Sequence, residues 1–166
     1  MKFIRLAVVA VVLGAVGVAA TLALNQPQHA PVVQYTTLDG SAHRSDALLG
    51  KVVLVNFWAT SCSTCMKEMP ELIATHKKYA SRGLETLSVA MSYDPPAYVM
   101  NYAQTRQLPF QVTMDSSGEL ARQFGQVQLT PTTFVVNKKG VIVKRYIGEP
   151  DFGQLHQLIE SLINES

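Results

Sequence analysis

The chain has 166 residues, a formal net charge of +2 and 48% apolar residues, enough for one compact domain with its own core and a modest appendage. Its 14 Lys and Arg are dispersed among 12 Asp and Glu, with no basic run or stripe, which argues against nucleic-acid binding. Its only two cysteines, Cys62 and Cys65, stand close together, which excludes the multi-bridge scaffold of a small disulfide-rich protein.

Lys2 and Arg5 precede Leu6–Leu24, an uncharged apolar run of about 19 residues, close to the span of a bilayer's hydrocarbon core as a helix. Secretory signals carry shorter apolar regions, roughly 7–15 residues. The reading is a membrane anchor over 1–24. A cleaved signal, with Val18, Ala20 and Ala23 as candidate small positions, is the alternative, and a buried soluble helix the third. The positive charges before the run keep that end cytoplasmic, so either main reading puts the rest outside the cytoplasm. Asn25–Pro31 is polar and Pro-bearing and reads as a linker. The domain then covers 32–166.

In chain order, a short strand is predicted after Pro31, a turn at Asp39-Gly40, and one helical turn over Asp46–Gly50. Val52–Val55 is a continuous β-branched and apolar run, the pattern of a strand buried on both faces. After the cysteines, Met66, Met69, Leu72, Ile73 and Tyr79 recur at helical spacing up to a stop at Gly83, with a kink predicted at Pro70. Leu84–Ser92 reads as a strand. Asp94 reads as an N-cap, with Pro95 and Pro96 opening a helix to Arg106. Pro109–Asp115 is a short strand and Ser117–Gly125 a short helix. Thr132–Val136 and Val141–Ile147 flank Asn137–Gly140, a hairpin signal. Asp151 caps a last helix with Phe152, Leu155, Leu158, Ile159 and Leu162 on one face. Strands alternating with helices, then a hairpin and a helix, imply an α/β domain with a central mixed β-sheet flanked by helices on both faces.

Outside the cytoplasm disulfides persist, yet a bridge closing so short a loop removes little unfolded-state entropy. A staple is therefore a weak use of Cys62 and Cys65. At the mouth of a helix, unpaired N–H groups favour an anion. Cys62 is then the attacking thiolate with a lowered pKa. Cys65, one turn on, is the less exposed thiol that resolves a mixed disulfide. Zinc needs two further ligands, and His29, His43, His76 and His156 are too scattered to supply them. Copper(I) has Met66, Met69 and Met91 within the sequence, although a core stripe explains Met66 and Met69 equally well. His76 reads as solvated or half-buried. Lys67 and Glu68 read as a solvated helix face, with Lys67 able to add positive potential near the thiolates.

The stretches "TLDG…LLGKVVLVNFWATSCSTCMKEMP", "VAMSYD" and "LTPTTFVVNKKGVIVKRYIGE" resemble the TlpA/ResA-like branch of the thioredoxin superfamily over nearly all of Pro31–Ser166. The resemblance implies a thioredoxin-like fold. It makes Cys62 the nucleophile, Cys65 the resolving thiol, and Pro131 a cis-proline facing them. Thr130 before it would offer backbone hydrogen bonds to substrate, and Trp58 would pack beside the pair. A trans proline that merely opens a strand is the bland alternative for Pro131. Asn56 stands where cytoplasmic thioredoxins carry a buried Asp. In this branch an acid near the next strand often shuttles protons, and Asp94 is the nearest candidate beside its N-cap reading.

The family commonly reads W-C-P-P-C or W-C-x-P-C, whereas this chain reads Ser61-Cys62-Ser63-Thr64-Cys65. The inner residues tune such pairs. Ser63 and Thr64 can donate hydrogen bonds to a thiolate but supply no cation, so a reducing or intermediate potential is expected. Ser61 removes an aromatic platform beside Cys62. The resemblance implies a monomeric protein-disulfide reductase on the bacterial inner membrane, single-pass, with its domain facing the periplasm or cell exterior and without cofactor or metal. Its clients would be apocytochrome c, copper-delivery or oxidase-assembly proteins, and its electrons would come from a DsbD- or CcdA-type transmembrane carrier. An oxidase, an isomerase or a Cu(I) carrier on the same fold are the alternatives.

Overall fold

The computed structural model describes residues 27–165. The anchor expected over 1–24 lies outside them. Among the described residues no helix is long and apolar enough to cross a membrane.

β1 (Gln34–Thr36) and β2 (Ala42–Arg44) form an antiparallel pair turned at Gly40, whose φ of +86° suits glycine. A 3-10 turn, Ser45–Leu48, follows. The main sheet contains β3 (Val52–Trp58), β4 (Leu84–Ala90), β5 (Gln111–Met114), β6 (Thr132–Val136) and β7 (Ile142–Ile147), in the order β5-β4-β3-β6-β7. β3, β4 and β5 run parallel, while β6 is antiparallel to both β3 and β7. The helices are α1 (Ser63–Tyr79), α2 (Pro96–Arg106), α3 (Glu119–Gln123) and α4 (Phe152–Asn164). The fold is the thioredoxin-like α/β arrangement.

β3 is buried along its whole length because helices cover both sheet faces. Its side chains alternate. Val52, Leu54 and Trp58 join Met69, Leu72, Leu155 and Ile159 under α1 and α4. Val53, Val55 and Phe57 join Leu120, Phe124 and Phe134 on the other face. Burying a side chain such as Leu155 or Ile159 contributes about 1.5–3 kcal/mol. In α1 the buried positions are Cys65, Glu68, Met69, Leu72, Thr75, His76 and Tyr79, a single stripe at helical spacing. Pro70 lies inside this helix, which runs on to Tyr79.

Four local readings change. Asp94 does not cap α2: Pro95 occupies that position without a side-chain hydrogen bond, because the Asp94 carboxylate is engaged elsewhere. Pro96 at the first helical position lacks only an N–H that had no helical partner. His76 is not solvated but 7% exposed, with Nδ1 3.1 Å from Thr86 Oγ1. Burial holds its pKa below the usual histidine value. Within the stretch read as a linker, the Ala30 N–H donates to Gly140 O and the Ile142 N–H to Gln28 O, each at 2.8 Å. The paired backbone of the domain thus starts before residue 32. Finally, Glu68 is not on a solvated face but 1% exposed.

Candidate active site

The candidate reacting groups gather at one end of the central strands of the main sheet. Register pairs Trp58 with Ala90, Phe57 with Thr132, and Thr132 with Ile147. The loops leaving β3 and β4, the loop entering β6 and the end of β7 therefore converge. The β3–α1 loop turns by a hydrogen bond from Cys62 N–H to Ala59 O at 3.1 Å. That turn delivers Cys62 to the N-cap of α1, where its Sγ accepts the Cys65 N–H at 3.1 Å. The two cysteines form a disulfide with Cα atoms 5.2 Å apart. Cys65 is fully buried, Cys62 half-buried, and Ser61, Ser63 and Thr64 exposed around them.

The Thr130–Pro131 peptide bond is cis. The Thr130 carbonyl oxygen lies 3.5 Å from Cys62 Sγ, and the buried Pro131 accepts the Gly148 N–H at 2.8 Å. Trp58 is fully buried in the same cluster as Cys65, tilted against Tyr102 with ring centres 5.5 Å apart. Cys62, Cys65, Trp58, Thr130 and Pro131 are thus brought together.

Asp94 is 2% exposed and holds the β3–α1 loop. Its two oxygens accept the Thr60 N–H and the Thr60 hydroxyl, each at 2.6 Å. This clamp ties the loop before Cys62 to the end of β4.

Glu68 is the residue that sequence reasoning missed. It stands one turn after Cys65 on the buried stripe. Asn56, facing α1 from β3, donates through Nδ2 to Glu68 Oε1 at 3.0 Å and to Thr133 Oγ1 at 2.9 Å. Glu68 Oε2 has no hydrogen-bond partner among the described residues. Desolvation pushes the Glu68 pKa up to about 7 against the opposing Asn56 hydrogen bond, and the charge of Glu149 adds to the rise. A carboxyl group so placed, behind Cys65 and raised by burial, is suited to general acid–base work. Its signal was available in the spacing: Cys65, Glu68, Met69 and Leu72 follow i, i+3, i+4, i+7.

Lys67 does not lend free positive potential to the sulfurs. Its ammonium pairs with Glu149 at 2.7 Å, which links α1 to the segment after β7. Of the methionines considered for copper(I), Met66 is partly buried against the cluster that holds Cys65. Met69 belongs to the core under α1 and Met91 to the core on the opposite sheet face. Among the described residues no group of three His, Cys, Asp or Glu could hold a metal ion.

The redoxin family profile matches residues 25–159. The chain is 31% identical over 135 residues to the thiol-disulfide oxidoreductase ResA of Bacillus thuringiensis subsp. konkukian (strain 97-27), covering 81% of this chain and 77% of that protein. It is 30% identical over 138 residues to the thioredoxin-like protein YneN of Bacillus subtilis (strain 168), covering 82% and 80%. A crystal structure of a thiol:disulfide interchange protein, a thioredoxin family protein from Chlorobium tepidum TLS, superposes with a TM-score of 0.76 at 29% identity, covering 84% and 98%. With a Cys-x-x-Cys disulfide at the mouth of α1 and a cis-proline against it, the chain belongs to the redoxin family, as a thioredoxin-fold, ResA-like thiol–disulfide oxidoreductase.

Proposed function

We propose that this oxidoreductase is an extracytoplasmic, membrane-anchored reductase of protein disulfides. The observation that carries the reading is the cysteine pair itself: a half-exposed sulfur accepting an N–H at the α1 N-cap, with Cys65 and Glu68 buried behind it. In the reduced protein the Cys62 thiolate attacks one sulfur of a substrate disulfide. A Cys62–substrate bond forms, and the other substrate sulfur leaves as a thiolate. Cys65 then gives its proton to the Glu68 carboxylate and attacks Cys62 Sγ. The second substrate thiolate leaves, and the Cys62–Cys65 disulfide closes. The substrate gains two electrons and the dithiol loses two.

The reducing direction is supported by Ser63 and Thr64, which put no cation between the cysteines. The uncharged run Leu6–Leu24, with Lys2 and Arg5 before it, supports a single-pass anchor in the bacterial inner membrane. The resemblance to the TlpA/ResA-like branch supports apocytochrome c, copper-delivery or oxidase-assembly proteins as clients, and a DsbD- or CcdA-type carrier as electron donor.

Purified protein should reduce insulin disulfides, Cys62→Ser should abolish this, and the pair should equilibrate well below the potential of DsbA. A potential near that of DsbA would make the protein an oxidase instead. Cys65→Ser should freeze a mixed disulfide at Cys62 in cells and identify the client.

A further inference from the structure

Tyr93 is 57% exposed, although it lies within a hydrogen-bonded turn. The next residue, Asp94, donates its N–H to Met91 O at 3.0 Å and grips Thr60 through its carboxylate. Pro95 and Pro96 follow and stiffen the chain further. The phenol oxygen lies 3.2 Å from Thr130 Oγ1. Thr130 is also the residue whose carbonyl contacts Cys62 Sγ, so one residue separates the ring from the reacting sulfur. Leu129, immediately before Thr130, is 62% exposed.

A tyrosine ring has only two side-chain torsions, so it buries apolar area on binding with little loss of conformational freedom. It stands beside Cys62, where Ser61 supplies no aromatic surface of its own. Any disulfide that reaches Cys62 must bring the flanking residues of its own chain across the Thr130 segment. The occupant of this ledge is therefore the polypeptide that carries the substrate disulfide.

We infer that Tyr93 and Leu129 form a specificity ledge that selects substrates with an apolar residue next to the reacting cysteine. The inference rests on the reductase reading above.

The test uses the reduced full-length protein and two peptide disulfides that differ only in Leu or Ser beside the reacting cysteine. Partial burial of one leucine is worth about tenfold in affinity. The wild type should favour the leucine peptide by about that factor. Tyr93→Ala should bring the ratio to about one, chiefly by raising the peptide concentration that gives half the maximal rate. Tyr93→Phe keeps the ring and should keep the ratio. Leu129→Ser should lower it and serves as the second variant should Tyr93→Ala fold poorly. A wild-type ratio near one, or an undiminished ratio in both Tyr93→Ala and Leu129→Ser, overturns the inference while leaving the reductase reading intact. Failure of the wild type to reduce either peptide removes the reductase reading and the inference with it.

Discussion

Glu68→Gln tests whether the carboxyl group behind Cys65 is as strained by burial as its surroundings imply. In the folded, oxidised protein its pKa is about 7, against an ordinary 4.5. A raised folded-state pKa means that the native state holds the proton over a range where the unfolded chain has released it. Stability contributed by this group is therefore fully present below about pH 4.5 and is lost as pH rises towards 7. At about 1.4 kcal/mol per pH unit, the loss reaches roughly 3 kcal/mol above pH 7. Glutamine has nearly the shape of the protonated acid and does not ionise. Urea unfolding of the oxidised wild type and variant, pH by pH, reads the difference directly. His76, whose folded pKa is lowered by burial, titrates alike in both proteins and cancels. The variant should match the wild type within about 1 kcal/mol near pH 4.5 and exceed it by roughly 3 kcal/mol near pH 8. A difference that stays flat over this range would refute the argument that burial controls Glu68.

Three further outcomes are expected. Asp94→Ala removes both acceptors of Thr60 and leaves its N–H unpaired; urea unfolding should show a loss of about 2–4 kcal/mol, and insulin reduction should slow because the loop carrying Cys62 is released. Glu149→Gln removes a negative charge that raises the Glu68 pKa, so the midpoint of the pH difference described above should move to lower pH. The lost Lys67 pair is largely exposed and should cost under about 1 kcal/mol in stability. Leu155→Ala opens a cavity at a fully buried position under the sheet and should cost about 2–5 kcal/mol by urea unfolding, with no change in the potential of the cysteine pair.

Local pattern sufficed wherever neighbours in sequence decide the structure. The apolar run of β3, the glycine-bearing turn before β7 and the one-faced helix α4 all carry their own periodicity, and Gly140 takes the positive φ expected of it. It failed where a polar side chain answers to a distant partner. Asp-Pro-Pro has the form of a helix start, but Asp94 bonds to Thr60, 34 residues earlier. Glu68 and His76 have the helical spacing of core positions, yet their chemistry argued for solvent. Asn56 and Thr86, from β3 and β4, supply the buried hydrogen bonds that no local window contains. The cysteines were legible from their Cys-x-x-Cys spacing, and Thr130 and Pro131 only through the resemblance of their stretch to the family's. Tyr93 was not, because its meaning lies in a contact with Thr130, 37 residues away.

The two buried carboxyl groups beside the pair differ in a way that divides their work. Asp94 spends both oxygens on one residue, a backbone N–H and a hydroxyl at 2.6 Å. Those two bonds hold the loop that carries Cys62. Glu68 has one accepted hydrogen bond, from Asn56, and a second oxygen without a partner among the described residues. It can gain or lose a proton without releasing any loop, and it lies on the helix face that carries Cys65. The geometry favours Glu68 over Asp94 for the proton-shuttle role that the resemblance suggested, with Asp94 clamping the loop that carries Cys62. On that assignment Asp94→Asn, which keeps one acceptor oxygen, should slow exchange by a similar factor at every pH. Glu68→Gln should slow the Cys65 step most above pH 7, where the wild-type carboxylate is formed. Quenched-flow accumulation of the Cys62 mixed disulfide across pH separates the two, and equal pH profiles for both variants would reverse the assignment.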